Sequence, residues 1–452
     1  MRRILLIYVF LVFSPLLNAQ ELEKQPSAYF IELFRSLSDS TKENAFTYIE
    51  THWEEAFEIY AVETLYFLKD AEVYSKLLVL LEDKSKQNFG FDFNAWFAYI
   101  WSKPAAYTSD YFYFKSLLHQ GVDYRFYRYF HERALQSTIR LDEVRWGGVK
   151  QDGIPPLRQP KMIDVANANY LDDSDVVFGI SINGDTRAYP KRILAWHEMF
   201  VDTVGNIPVA GVYCTLCGTV ILYKTEHDGI SYQMGTSGFL YRSNKLMYDK
   251  KTQSLWNTLW GEPVLGPLVG KGIALEYLSV VTTTWGDWKA LHPDTKVLSL
   301  NTGYYRNYDE GEAYKSYFAT DDVMFNVQKK DRRLKNKQEI LAIRLPQETD
   351  ENIAISSKFL KRNPIYKSQI NEKPFTVFTD KSGSHRVYFT EQIDFVAFSK
   401  DSNLIDHDGN KWVIYENEIV NIKTKQTLQR LHTFNAFWFG YQAAFPEVEL
   451  IK

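Results

Sequence analysis

The spacing of apolar residues changes character along this chain. From residue 21 to about 140, apolar positions recur at helical intervals. Phe30, Leu33, Phe34 and Leu37 follow Pro26-Ser27 at steps of three, one and three, which predicts one buried helix face. Val73, Leu77, Leu80 and Leu81 repeat the pattern behind Asp70, whose short carboxylate suits a helix N-cap. The aromatic-rich stretches Phe91 to Trp101 and Tyr111 to Leu118 also have helix length. Short polar breaks separate these segments at no fixed period. The region therefore reads as a stack of short amphipathic helices and not as a solenoid.

Near Gly147-Gly148 and Asp152-Gly153-Ile154-Pro155-Pro156 the pattern changes, because two prolines disfavour helix. Val176 to Ile182, Asn183-Gly184 and Thr186 to Tyr189 form a strand, hairpin turn and strand. Pro190 is placed to open a short helix through Ile193, Leu194 and His197. Pro208 to Tyr213 reads as a strand that runs into Cys214-Thr215-Leu216-Cys217-Gly218. Thr219 to Tyr223 reads as its return. A helix around Trp285 to Leu291 ends at His292-Pro293. The expected fold class is α+β: a helical region over 20–145, a β-rich half over 146–330 that contains the cysteines, and a second half over 331–452.

The second half echoes the first. Val212 to Gly218 aligns without gaps on Val377 to Gly383, and Ala188 to Phe200 falls on Ala354 to Tyr366. Leu246-Met247-Tyr248-Asp249 resembles Asn403-Leu404-Ile405-Asp406, and Trp285 and Pro293 match Trp438 and Pro446 at the same separation. Across this alignment the scaffold pattern persists while the reactive side chains change. Cys214 and Cys217 become Thr379 and Ser382, His197 and Glu198 become Asn363 and Pro364, and Met247 becomes Leu404. Residues needed only for folding would be kept more often. The first half is therefore expected to be the working one and the second its structural partner.

The N-terminus narrows the compartment. Met1-Arg2-Arg3, an apolar run from Ile4 to Phe13 and a small residue at Ala19 make a secretory leader over 1–19, with cleavage expected after Ala19. Leu17 fits the cleavage pattern poorly, which leaves an uncleaved anchor as the alternative. The run is shorter than the roughly 20 apolar residues of a membrane span. An exported protein of the periplasm or cell envelope is expected, with no stable span once the leader is removed. The composition, 45% hydrophobic and 24% charged, is that of a globular protein. A net charge of -4 suggests neither nucleic acid nor an anionic membrane surface as partner. The 16% aromatic content points to tight cores or to sugar-binding faces.

Cys214 and Cys217 are the chain's 2 cysteines. They cannot build a disulfide framework, and a bridge across two residues closes too small a loop to restrict the unfolded chain much. One reading is a redox pair that cycles between dithiol and disulfide, with a donor such as His197 or Arg187 supporting a thiolate and Glu198 assisting. The strand-like sequence after Cys217 removes the helix N-terminus that usually supplies this support. The second reading is a metal site. Cys214 and Cys217 would be joined by His197, with Met247 or Glu198 as a fourth ligand, a set that suits copper or zinc. The third is a ligand-binding or interaction module, with the helical region as a protein-docking surface. A small molecule or a thiol partner is expected for the cysteine turn. No phosphate-binding loop, dinucleotide fingerprint, HExxH or nucleophile elbow is present in the sequence.

Eight stretches occur in order: Gly153-Ile154-Pro155-Pro156-Leu157, Asn183 to Pro190, Leu194-Ala195-Trp196-His197-Glu198, Tyr213 to Gly218, Ser237-Gly238-Phe239-Leu240, Leu246 to Asp249, Ser254-Leu255-Trp256 and His292-Pro293-Asp294-Thr295. Together they resemble the exported DUF3179 family, a domain of unknown function. The resemblance runs from about residue 145 to 450 and leaves the helical region outside. The family is similar in carrying cysteine in this turn, and some members replace one cysteine by selenocysteine, which implies redox reactivity without naming a substrate. Proline often follows the first cysteine there; Thr215 departs from that pattern.

Overall fold

The computed structural model describes residues 24–105, 108–131, 136–346 and 348–452. The leader over 1–19 lies outside these residues. Six helices lead the described chain: Pro26–Arg35, Asp39–Thr51, Phe57–Phe67, Ala71–Ser85, Phe93–Trp101 and Ser109–Gln120. Their starts are set by local chemistry. Asp70 accepts from the N–H groups of Glu72 and Val73, and Ser38, Asp92 and Thr108 cap their helices in the same way. Leu37, expected on the first helix face, lies beyond its end at Arg35 and is fully exposed. Among the described residues no helix is long and apolar enough to cross a membrane.

The helices rest on an antiparallel sheet of Val144–Trp146, Met234–Tyr241, Asn244–Asp249, Leu255–Asn257 and Glu262–Leu265, in that order. Strand alternation divides its residues between two cores. Phe239, Leu246, Tyr248 and Leu255 pack into the helical side. Met234, Met247 and Trp256 face the other way, against Ile340, Ala342, Phe434 and Trp438 of the C-terminal half. With both faces covered, every residue of Asn244–Asp249 is buried. The aromatic content serves these and the other cores of the β-rich halves: Trp96, Trp256, Trp285, Trp288, Trp412 and Trp438 are among the largest fully buried side chains.

Beyond the helices the chain traces one path twice. Val281–Thr284, Val176–Ile182 and Asp185–Pro190 pair antiparallel in that order, and Lys296–Leu298 joins Asp185–Pro190 in parallel. Thr433–Phe437, Glu339–Arg344 and Asn352–Ser356 pair in the same sense, with Glu449–Ile451 added in parallel. A short helix follows the second strand each time, Lys191–His197 and Ser357–Arg362. A three-strand meander comes next: Met199–Val204, Ile207–Cys214 and Thr219–Lys224 in the first half, Ile365–Ile370, Lys373–Thr379 and His385–Phe389 in the second. The helices Trp285–Leu291 and Trp438–Ala444 precede the closing strands. The halves also meet reciprocally. Phe437 N–H donates to Cys217 O at 2.7 Å, while Thr283 Oγ1 lies 3.4 Å from Ser382 Oγ. Each half thus lays a sheet-edge strand on the turn of the other.

Burial also sets a pH response. His119 is held well below its ordinary value of 6.5, and His385 and His432 are pushed down to about 4, in each case chiefly by burial. These rings stay neutral when folded and take up protons when unfolded. The unfolded chain therefore binds more protons as pH falls below 6.5, and stability is lost between 6.5 and about 4. The melting temperature should fall on going from pH 7 to pH 5, before most carboxylates titrate; a flat profile over that window would contradict the assignment.

Candidate functional site

Cys214 closes the strand Ile207–Cys214, and Cys217 N–H donates to Cys214 O at 3.1 Å to form a tight turn. Gly218 follows with φ +59, and the return strand starts at Thr219, as the sequence suggested. The turn brings the sulfurs 2.8 Å apart. Both are buried, Cys214 at 3% and Cys217 at 0% exposure. In the dithiol form Cys214 Sγ donates to Cys217 Sγ, which donates to Ser243 O at 2.9 Å. Ser243 belongs to the Arg242-Ser243 turn, with φ 48 and 63, which leads into the strand Asn244–Asp249.

That strand delivers Lys245. Its backbone N–H bonds to the Cys214 sulfur, and its buried ammonium forms an ion pair with the buried carboxylate of Glu198. Glu198 stands at the C-terminal end of Lys191–His197 in the left-handed region, φ 54, with its N–H on Leu194 O at 2.6 Å. A glutamate in that conformation is strained, since the Cβ crowds the backbone. Tyr213 N–H on Glu198 O at 2.9 Å and Tyr314 Oη on Glu198 Oε1 at 2.9 Å hold it in place.

The two thiols differ in acidity. Burial works to raise both. At Cys214 it is outweighed by the Cys217 hydrogen bond, the Lys245 ammonium and the Lys245 N–H, which hold the thiol below its ordinary value against the opposing charge of Glu198. At Cys217 burial prevails, and a charge on Cys214 pushes it further up. A single proton loss from the pair therefore leaves the charge on Cys214, with the Cys217 proton turned toward it.

A long segment between Lys296–Leu298 and Glu339–Arg344, with the one-turn helix Lys315–Phe318, covers this region. Its tyrosines pin it down: Tyr308 to His197 Nε2 at 2.6 Å, Tyr314 to Glu198, and Tyr317 to Leu216 O at 2.7 Å. His197 Nδ1 faces Pro155 O at 2.8 Å. A carbonyl only accepts, so Nδ1 carries the ring proton and Nε2 accepts from Tyr308. Burial, aided by Arg306, lowers the His197 pKa and keeps this neutral form.

Of the residues singled out from sequence, Cys214, Cys217 and Glu198 therefore share one site. His197 adjoins it through the backbone, but its ring is engaged by Pro155 and Tyr308 and bonds to neither sulfur. Arg187 pairs with Asp185 and Asp202 at 2.7 Å each, and Tyr189 Oη also bonds to Asp202; this network braces the Asn183-Gly184 hairpin. Met247 packs in the core with Val212 and Trp256, one step along the strand face from Lys245. Among the described residues no three His, Cys, Asp or Glu side chains are grouped as metal ligands. Sequence reasoning missed Lys245 and the pinning tyrosines. The signal for Lys245 lay in the alignment expected between the two halves: the offset that sets Met247 on Leu404 sets Lys245 on Ser402, a change like that of the cysteines.

No curated protein and no solved structure matches this chain. A family model described as a protein of unknown function, DUF3179, matches residues 151–448, which take in most of the β-rich region with the cysteine turn, the Glu198–Lys245 pair and the tyrosine-pinned segment. The chain belongs to the DUF3179 family.

Proposed function

We propose that this chain is an exported protein whose working site is a thiol redox centre, with Cys214 and Cys217 alternating between dithiol and disulfide. Closing the bridge removes two electrons and two protons from the pair, and reopening it returns them. The observation that carries this reading is the 2.8 Å sulfur separation combined with one thiol held down and its neighbour pushed up. The first supplies a nucleophile and the second a resolving thiol in reach. The Lys245 ammonium and N–H take the part of the helix N-terminus that the strand-like sequence lacks. Glu198 tempers that charge, and His197 acts as a positioning residue through Tyr308.

The copper or zinc reading draws less support. A tetrahedral zinc about 2.3 Å from each sulfur holds them roughly 3.8 Å apart, and His197 and Met247 are engaged elsewhere. Export rests on the leader Met1 to Ala19. We read the two β-rich halves as copies of one unit, because their strand orders coincide, and the second as a brace for the cysteine turn. The helical region covers the sheet that holds Lys245.

Thiol counting on the exported, mature protein tests the redox reading. No free thiol is expected before reduction and two after it, reversibly, with the cycle lost in Cys214→Ser and in Cys217→Ser. Bound metal in one-to-one ratio, with thiols that react only after chelation, would overturn it. In the reduced protein, iodoacetamide should modify Cys214 first. Because that thiol is held below its ordinary value, its reactivity should persist to lower pH than that of free cysteine.

A further inference from the structure

We propose that the oxidant of this dithiol is a small hydroperoxide, reduced at Cys214 beside the Lys245 ammonium under the tyrosine-pinned segment. The inference rests on the redox reading above and names its substrate class. The covering segment restricts access to the pair. Thiol–disulfide exchange needs a third sulfur to approach in line with the other two. Cys214 is 3% exposed and Cys217 0%, beneath residues tied down at Leu216 O by Tyr317 and at Glu198 by Tyr314. A folded protein disulfide cannot bring a sulfur there while those ties hold. A hydroperoxide presents two oxygens and needs little room.

The site also holds unused hydrogen-bonding capacity. Beyond its ion pair with Glu198, Lys245 Nζ has no hydrogen-bond partner among the described residues, and Thr215 Oγ1, in the cysteine turn, has none either. Both residues are more than nine-tenths buried, Lys245 at 6% and Thr215 at 0% exposure. Buried polar groups normally find partners. Donors left open beside a thiolate suit a reaction that develops negative charge on a leaving oxygen. The cleavage of a peroxide is such a reaction, and dithiol–disulfide exchange places its charge on sulfur instead.

The chemistry balances with the residues present. The Cys214 thiolate attacks the nearer peroxide oxygen. An S–O bond forms, the O–O bond breaks, and the leaving alkoxide or hydroxide, facing Lys245, takes up the proton that Cys214 released. Cys217 then attacks the Cys214 sulfenic acid, forms the S–S bond and releases water. The peroxide is reduced by two electrons and the dithiol oxidised by two. Two equivalents of a thiol reductant, such as the halves of dithiothreitol, restore the pair.

The test mixes the reduced mature protein with hydrogen peroxide, with glutathione disulfide, or with diamide, and follows thiol loss. Hydrogen peroxide is expected to outpace glutathione disulfide. Cys217→Ser should accumulate one dimedone-reactive sulfenate on Cys214. Lys245→Met combined with Glu198→Gln, a neutral pair chosen to preserve folding, should lose roughly a hundredfold in the peroxide step, well beyond any change in the diamide rate, which follows only the change in thiolate fraction. Glutathione disulfide reacting as fast as peroxide, no sulfenate in Cys217→Ser, or an unchanged peroxide rate in the neutral pair would overturn the proposal. A pair that diamide closes and peroxide does not would leave the redox reading standing. A pair that neither reagent closes would remove both.

Discussion

Replacing Lys245 by methionine should destabilise the folded chain by about 3–5 kcal/mol, the usual cost of removing one partner from a buried ion pair. Lys245 and Glu198 keep only 8% and 6% of their side-chain surface exposed. Methionine fills similar volume, so the packing loss is small and the effect is electrostatic. It strands the Glu198 carboxylate with the Tyr314 hydroxyl as its remaining side-chain hydrogen bond among the described residues. Adding Glu198→Gln should restore most of the stability, because the stranded charge disappears. The chemistry should separate from the stability. In Lys245→Met, Cys214 loses the ammonium that lowers it and keeps the carboxylate that raises it, so its thiol becomes less acid. In Glu198→Gln alone the shift reverses. Urea unfolding of the single and double variants, with pH-dependent alkylation of Cys214, measures both. A loss below 1 kcal/mol in Lys245→Met would mean that the pair is solvated and does not act on the thiol.

The contrast between legible and hidden residues has a physical basis. The first helices could be read because a helix that buries one face must repeat its apolar residues every three to four positions, as Val73, Leu77, Leu80 and Leu81 do. The hairpin could be read because Asn183-Gly184 is one of the few dipeptides that favour two consecutive positive φ angles, observed here at 49 and 82. Lys245 could not be read locally. Its strand is buried on both faces only because the helical region covers one side and the C-terminal half the other. Taken alone, a lysine between Asn244 and Leu246 looks like a solvated edge residue. The roles of His197 and Glu198 were hidden for a related reason. Their partners Tyr308 and Tyr314 lie 111 and 116 positions away, in a segment with almost no periodic pattern. Sequence reasoning singled out this pair through its loss in the second half. It could not find that one member holds a covering segment while the other holds a lysine.

Gly218→Ala should cost roughly 3 kcal/mol, and the matching Gly383→Ala far less, although Val212 to Gly218 aligns without gaps on Val377 to Gly383. Both have positive φ, 59 and 86, so alanine at either position meets the penalty of about 1–2 kcal/mol for a left-handed L-residue. Their neighbours differ. A Cβ on Gly218 would lie 2.7 Å from the Phe437 ring, which is itself packed against Phe318 and fixed by its own N–H on Cys217 O. The ring cannot withdraw without breaking the backbone bond that seats the cysteine turn, which adds about 1–3 kcal/mol of overpacking. The atoms nearest to a Cβ on Gly383 are Cε, Nζ and Cδ of Lys361, Cε at 2.5 Å, the far part of a flexible chain that can swing away. Chemical unfolding of the two variants reads the difference directly. Equal losses would show that Phe437 does not brace the turn. Beyond stability, Gly218→Ala displaces Cys217 from Ser243 O and from Cys214, so the rate of disulfide closure should fall, whereas Gly383→Ala should leave it unchanged. The asymmetry follows from the reciprocal seam: the first half's turn takes a rigid aromatic from its partner, and the second half's turn, without cysteines to hold in register, takes a hydroxyl contact from Thr283.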